Sequence, residues 1–577
     1  MQSEVNSCVQ SLDGFWEMLL DPVGFGETNG KYQLPEVENA NFYTDRKILN
    51  YRPVIVPSSW TQLPDMKWYR EIAWYIKRFD WQKIEGQRVF VRFEAVNYHS
   101  KVWLNGILLG THEGGYTPFE FEITDSVRAG SNYLAVKISP VPGPDSTVPV
   151  TGWCCHPGII RSVSLITTPP LRIVSAGIVS TLGEQDRNCE VAVAVELEGK
   201  THKAELVVKI FDPAGQPVGE VRGDAKDHFI KLGLKLKNPE LWSPDSPNLY
   251  LAEIALRTAE GTQTRNETFG VRRFEVKPDG FYLNGSRIFI KGAGMHAMYP
   301  GLGHTIPDEI YRRDYTMMKE AGMNAVRLVH YPHDRRALDL ADKMGLLVWA
   351  EIPLYWKARK DNDGTRQSAL NQLREMIVRD RNHPCVFTWG LGNEIPTSDP
   401  ASVSFFKEAR ALAAELDPSR SASFISEQTA SSSDDKGLAY SDFISCNIYL
   451  GWYSQELETM PSILDAIAKS FPEKPILMTE FGAGAVRGYK SGAEAPVPWS
   501  EEYQAWVLKA NIEYFMAHPR VGGCFVWCWA DFEDPTRRDN IYERGFNNKG
   551  LVDPNRVPKV AYTTVAQLFR NKGPFPN

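Results

Sequence analysis

Hydrophobic and polar positions change rhythm twice along this chain of 577 residues. Up to residue 168, short apolar or alternating runs recur at 15–20, 54–56, 73–79, 89–93, 101–104 and 133–138. Turn-forming pairs divide them: Asp13-Gly14, Asn105-Gly106 and Gly114-Gly115. Asn-Gly between two such runs tolerates the positive φ that a tight hairpin demands, so a two-residue turn is predicted at 105–106. Many short strands parted in this way predict a β jelly roll over 1–168. After Pro169-Pro170 the pattern simplifies, and 191–196 and 204–210 alternate cleanly. The segment 169–275 has the length and spacing of an immunoglobulin-like β-sandwich, although Cys189 is its single cysteine.

From residue 276 the grammar changes again. Apolar runs at 288–291, 325–329, 346–350, 386–390, 422–426, 443–448, 476–479 and 524–529 alternate with helix-like stretches. Those stretches fall at 308–321, 334–344, 370–379, 400–416, 460–470 and 501–517. Continuously apolar strands joined through helices imply a parallel sheet, and eight of them imply a (β/α)8 TIM barrel over 276–577.

Barrels of this kind carry their chemistry at the C-terminal strand ends. Here those ends hold Arg327 and His330, Glu351, Asn393-Glu394, Glu427, Asn447 and Tyr449, Thr479-Glu480, and Trp527 to Asp531. A rim of carboxylates, one His, one Arg and several aromatics suits glycoside hydrolysis. That reaction sets two carboxyl groups around one acetal carbon, about 5–5.5 Å apart for retention and about 6.5–9.5 Å for inversion. Glu394 and Glu480, ending the fourth and seventh strands, face each other across a barrel mouth and are the expected pair.

Composition narrows the remaining classes. Lys and Arg number 64 against 71 Asp and Glu, a net charge of −7 with no basic cluster, which excludes a nucleic-acid protein. No apolar run is long enough for a membrane helix. The 16 Trp serve either large β cores or sugar-stacking platforms. Eight sparse cysteines without CxxC or zinc spacing argue for buried free thiols, no metal and no cofactor. The opening Met1-Gln-Ser-Glu-Val-Asn-Ser lacks the features of a signal peptide. A cytoplasmic chain is expected as it stands, and a periplasmic or secreted one if a leader has been removed.

Trp389-Gly390-Leu391-Gly392-Asn393-Glu394 resembles the acid/base motif of glycoside hydrolase family two, and Met478-Thr479-Glu480-Phe481-Gly482 its nucleophile motif. The likeness spans nearly the whole chain. It includes Asp13-Gly14-Phe15-Trp16, Val102-Trp103-Leu104-Asn105-Gly106, Phe269-Gly270-Val271-Arg272 and Val326-Arg327-Leu328-Val329-His330-Tyr331-Pro332. The resemblance implies a retaining double displacement in which Glu480 attacks the anomeric carbon. Glu394 first protonates the leaving oxygen and then deprotonates water, so it begins protonated while Glu480 begins ionised. Asn393 would bind the sugar 2-hydroxyl.

Within that family the β-glucuronidases are the best match. Asn547-Asn548-Lys549 resembles the Asn-x-Lys motif that holds the C6 carboxylate, and an ammonium with an amide donor suits a carboxylate. By the same resemblance His330, Asn447, Tyr449, Tyr453 and Trp527 line the sugar site, with Tyr449 touching the nucleophile. Arg544 would add positive charge. One departure stands out: Gly152 occupies the place of an Asp that close glucuronidases use, which leaves β-galacturonide or β-galactoside specificity as an alternative. Trp153 or His156 would then replace that contact. A non-catalytic carbohydrate-binding protein is the remote alternative. Glu351 is expected to be a sugar or salt-bridge ligand. The loop 487–500 is expected to shape the leaving-group side, and the short connection 355–367 to leave the mouth open to oligosaccharides. The expected partner is a carbohydrate substrate, the terminal uronide of a glycoside or oligosaccharide, with self-association into a homo-oligomer and no nucleic-acid or membrane partner.

Overall fold

The computed structural model describes residues 8–33, 51–140, 146–148, 152–183, 188–200, 204–356, 358–427, 435–453 and 456–570. Its first part is a pair of antiparallel sheets, one of six strands and one of four. Alternation drives their packing: Gly14–Asp21 buries Trp16 and Met18 and exposes Phe15 and Glu17. Trp16, Met18, Tyr75, Val91, Phe93 and Leu165 fill the space between the sheets. The Asn105-Gly106 turn forms as expected, with Leu104 opposite Ile107 and φ of 53° and 85° at the two turn residues.

The second part sets three strands against four. Cys189–Glu198 turns Cys189, Val191, Val193, Val195 and Leu197 inward. Each fully buried Val there stabilises the sandwich by about 1.5 kcal/mol or more.

The third part is the barrel. Its strands are β1 (Ile290–His296), β2 (Ala325–Val329), β3 (Leu347–Glu351), β4 (Val386–Gly390), β5 (Ser421–Ser423), β6 (Ile444–Asn447), β7 (Ile476–Glu480) and β8 (Val521–Val526). They pair in parallel, β8 beside β1, and a bridge between Ile425 and Ser445 links β5 to β6. The first strand starts later, and the eighth earlier, than the hydrophobic runs imply. Helices α1 (Asp308–Glu320), α2 (Arg335–Met344), α3 (Asp363–Asp380), α4 (Pro400–Leu416), α5 (Met460–Ser470), α6 (Glu501–Ala517) and α7 (Val560–Arg570) surround them. Helix α3 begins seven residues before the apolar periodicity because Asn362 caps it, accepting from the Thr365 amide at 3.0 Å. Between β5 and β6 the described residues hold only a short 3-10 turn, Lys436–Tyr440. A hairpin ahead of β1 closes the barrel floor, where Phe281 packs edge-on against Phe443 with ring centroids 5.1 Å apart.

The first part docks onto the barrel's open end. Tyr116 stacks on Tyr331 with centroids 4.1 Å apart, and Arg161 bridges the two parts by donating to the carbonyls of Tyr116 and Pro332. Trp153 reaches the barrel mouth, its ring centroid 4.9 Å from that of Tyr355. No helix among the described residues is long and apolar enough to cross a membrane.

Candidate active site

The site grows from one buried arginine. Arg327 lies inside β2 with 0% exposure. It donates from Nε and Nη2 to both oxygens of Glu351 on β3, at 2.8 and 3.0 Å. Its Nη1 donates to Glu480 Oε1 on β7 at 2.8 Å, and its Nη2 also reaches Asn393 Oδ1 at 2.8 Å. A guanidinium has donors only, so the Asn393 atom facing it is the amide oxygen. Asn393 Nδ2 is then a buried donor with no partner among the described residues. Such a group calls for an explanation.

Glu480 is also engaged by Tyr449, whose hydroxyl donates to Oε2 at 2.7 Å. Burial pushes the Glu480 carboxyl above its ordinary range, Arg327 and His330 oppose the rise, and the charge of Glu394 adds to it. For Glu351 the balance tips the other way. Burial is outweighed by Arg327 and His330, which hold that carboxyl below its ordinary range.

Glu394 follows β4 and takes a left-handed backbone, φ 51°. Strain of this kind, about 1–3 kcal/mol, is typical of groups that the surrounding fold must aim. Its Oε1 accepts from Asn447 Nδ2 at 2.8 Å and its Oε2 from Trp356 Nε1 at 2.6 Å. Asn447 is oriented in turn by the Thr479 hydroxyl, which donates to its Oδ1 at 2.9 Å. Two glycines of the motifs have steric reasons. A Cβ on Gly390 would lie 2.3 Å from Glu351 Cβ, and one on Gly482 would lie 2.7 Å from the Trp527 carbonyl.

Both glutamates line one cavity of about 300 Å³. Around it stand His330, Tyr449, Tyr453, Trp527, Asn547 and Lys549, together with Trp153, Tyr355 and Trp356. Trp527 stacks against His330 with centroids 5.1 Å apart. Lys549 is 1% exposed and forms no ion pair among the described residues. Its Nζ donates to Tyr453 Oη at 2.7 Å, which Arg537 also approaches at 3.4 Å. Burial pulls the Lys549 ammonium below its ordinary range. The Tyr453 phenol, resisted by burial but drawn by Lys549 and Arg537, is also held low.

Asn393 and Asn447 lie beside the cavity-lining glutamates, bonded to them or to their partners. Arg544 is a correction. It is exposed, donates from Nε to the Ile541 carbonyl at 3.0 Å, and lines a different cavity. Left-handed φ at Arg544 and Gly545, 50° and 88°, turns the chain between it and Asn547. No residue of 487–500 lines the catalytic cavity; Trp499 instead packs edge-on against Trp452, centroids 4.7 Å apart. His156 also lies elsewhere, its Nδ1 3.0 Å from both Thr61 Oγ1 and Gln62 Nε2. Gly152 and Trp153 do reach the cavity.

Sequence reasoning missed Trp356, Asp534 and Arg537 as wall residues. The signal for the last two was faint: Asp534 lies eight residues past β8 and forms an ion pair with Arg537 at 2.7 Å. The fold also assembles two clusters of metal-type donors that linear spacing does not show, Asp342-His383-Cys385 and Cys154-His156-Glu533. In the first, both Asp342 oxygens are already used, by His383 Nδ1 at 2.6 Å and the Cys385 amide at 2.9 Å.

The comparisons with known proteins now decide the family. The model for the TIM barrel domain of glycosyl hydrolases family 2 matches residues 274–572, the sugar binding domain of that family 9–169, and a third family 2 model 171–272. The chain belongs to glycoside hydrolase family 2. A β-glucuronidase from Bacteroides fragilis is 32% identical over 84% of this chain and 72% of its own. Among solved structures, Ruminococcus gnavus β-glucuronidase superposes with a TM-score of 0.88 at 25% identity, covering 98% of both chains. A family 2 β-galacturonidase from Eisenbergiella tayi gives 0.84 at 27% identity, covering 99% of this chain and 98% of its own. The protein is a glycoside hydrolase, and its substrates are carbohydrates.

Proposed function

We propose that this enzyme is an exo-acting, retaining β-glucuronidase that removes terminal β-D-glucuronosyl residues. One observation carries the choice of sugar: the cavity holding both glutamates also holds a buried ammonium, Lys549, with no carboxylate partner among the described residues. A buried cation is costly unless something anionic meets it. The C6 carboxylate of a uronide would do so, with Asn547 beside it as a further polar group and Arg537 as the next cation. A neutral hexose would leave the charge uncompensated.

In the proposed reaction Glu480 attacks the anomeric carbon while Glu394 protonates the departing oxygen. The glycosyl–enzyme bond neutralises Glu480. Glu394 then takes a proton from water, and the water oxygen displaces Glu480 with a second inversion. Arg327 and Tyr449 hold the Glu480 oxygens, Oε1 and Oε2, in separate hydrogen bonds. Asn393 offers its spare Nδ2 to the 2-hydroxyl, a contact that tightens as the ring flattens.

A β-galacturonidase reading has one observation in its favour: among the described residues, Gly152 and Trp153, and no acidic side chain, face the cavity from the first domain. A panel of 4-nitrophenyl β-D-glucuronide, β-D-galacturonide and β-D-galactoside separates the readings. The glucuronide is expected to have the highest kcat/KM, with the β-anomer as first product by NMR. A faster galacturonide would shift the assignment to that sugar, and a faster galactoside would remove the acidic-sugar reading. Self-association into a homo-oligomer is part of the proposal and is read from light scattering.

A further inference from the structure

Four rings on the wall of the catalytic cavity form a chain of contacts that runs from one glutamate to the other. At the nucleophile end His330 Nε2 is 3.9 Å from Glu480 Oε1, and Trp527 stacks on the imidazole. On its other side His330 meets Tyr355 with centroids 5.0 Å apart. Tyr355 in turn stacks on Trp356, with centroids 4.6 Å apart and planes 26° apart. Trp527, His330 and Tyr355 are buried. Trp356 ends the chain half-buried, where its Nε1 donates to Glu394 Oε2 at 2.6 Å.

That position decides what Trp356 can touch. Attack by Glu480 drives the leaving oxygen away from the nucleophile and toward Glu394. Whatever the oxygen carries must pass the Glu394 end of the cavity, and the indole forms the wall there. Tyr355 covers one face of that indole, and among the described residues no other ring or cation packs on it. The edge of the ring is kept clear by Gly152. A Cβ at that position would already lie 3.8 Å from Trp356 Cη2 and 3.4 Å from Tyr355 Oη.

The backbone points the same way. Trp356 has a left-handed φ of 44°, which a bulky residue rarely adopts. Such conformations persist where the surrounding fold enforces them, and they cluster at sites that grip a ligand. Holding a hydrogen-bond donor against Glu394 accounts for the N–H of this side chain. It does not account for a broad apolar face left open beside the departing oxygen. An indole face attracts the C–H bonds of a pyranose and the offset face of an aryl ring alike, because its π cloud is negative.

We propose that Trp356 is the leaving-group subsite: its open face stacks on a ring carried by the departing oxygen, while the N–H of the same ring holds Glu394. The inference rests on the assignment of Glu394 as the acid. It adds what the cavity selects on its leaving side, a flat-faced ring directly beyond the scissile bond in preference to a compact or linear alcohol. One rigid side chain makes both contacts, so a stacked leaving group is brought into register with the proton it must receive.

The test separates the face from the donor. Trp356→Phe keeps a face and removes the donor, Trp356→Gln keeps a donor and removes the face, and Trp356→Leu removes both. The substrates are methyl β-D-glucuronide, whose leaving group has no ring, benzyl β-D-glucuronide, and a disaccharide with the glucuronosyl group on O4 of methyl β-D-glucopyranoside. Loss of the donor should lower kcat about tenfold or more on all three substrates, in the Phe and Leu variants. Loss of the face should raise KM for the benzyl and disaccharide substrates about three- to tenfold, in the Gln and Leu variants, while KM for the methyl substrate moves less than about twofold. The Phe variant should hold all three KM values within about twofold. Melting curves check the fold, and the Phe and Gln variants decide the matter if the Leu variant is unstable. A KM rise shared by the methyl substrate, or none for either ring-bearing substrate, overturns the subsite. A rise confined to one of the two supports it and names the ring it takes. If the wild type turns over no glucuronide, the sugar assignment fails separately. The same three leaving groups on the sugar that the nitrophenyl panel selects then test Trp356.

Discussion

Replacing Lys549 by Met tests the acidic-sugar assignment where it is most exposed to refutation. Met keeps the length of the aliphatic stem and deletes the charge. Lys549 is 1% exposed, its ammonium 2.7 Å from Tyr453 Oη and within 5.8 Å of the Tyr449 ring centroid. A uronide carboxylate bound there would be largely desolvated. Removing one member of a buried, hydrogen-bonded charge pair costs about 2–5 kcal/mol. At about 1.4 kcal/mol per decade, kcat/KM for 4-nitrophenyl β-D-glucuronide should fall about 30- to 4,000-fold. The β-D-glucoside has the same ring without the carboxylate. In the wild type it must leave the ammonium unpaired, so the variant should hydrolyse it as well as the wild type or better. The assay is the ratio of the two kcat/KM values, with circular dichroism and a melting curve confirming the fold. A fall that is equal for both substrates would refute the assigned role of Lys549. So would a fall on the glucuronide of less than about threefold.

Four further outcomes rest on the same geometry. Glu480→Gln should abolish turnover and covalent labelling by a 2-fluoro-glucuronosyl fluoride. Glu394→Gln should lose about 10²- to 10⁴-fold on poor leaving groups and much less on nitrophenolate, read as the slope of rate against leaving-group pKa. Glu480 must be ionised to attack, so activity falls as pH drops through its pKa, which burial has raised. Deleting the opposing charge in Arg327→Gln should move the acid limb of kcat/KM to higher pH, and an unmoved or lowered limb contradicts the account. Trp356→Phe removes the donor to Glu394 Oε2 and should cost about 1.5–3 kcal/mol, a fall in kcat of roughly 10- to 150-fold with little change in melting temperature.

The parts of the fold that depend on local rules were legible in the sequence. Alternation in Cys189–Glu198 reads directly as one buried and one open face. Eight apolar runs spaced by helices leave little choice but a closed parallel sheet. Boundaries were less legible because capping competes with periodicity. The apolar positions of α3 suggest a start near residue 370, whereas Asn362 sets it at Asp363. The strand β8 shows the converse. Trp527 and Trp529 continue its apolar run, but the chain has by then left the ladder to wall the cavity and pack against Tyr562.

The same distinction runs through the active site. Glu394, Glu480 and Tyr449 sit on or just beyond strand ends, and a barrel converges such positions whatever its loops do. Trp356 and Arg537 depend on how particular loops turn. Trp356 reaches Glu394 because its own backbone is left-handed, φ 44°, and its amide donates to the Asn393 carbonyl at 3.2 Å. Nothing in the residue types around position 356 encodes that turn, since Trp has no preference for positive φ. Arg544 failed for the same reason in reverse: its charge suited the site, but two left-handed residues sent it to a different cavity. There it joins three other cations around a cavity that no catalytic motif marks. A reactive residue at a strand end is delivered to the site by the barrel itself. A charged residue in a loop is delivered by whichever side of the backbone its side chain falls on, and here that choice brings Arg537 to the catalytic cavity and turns Arg538 away from it.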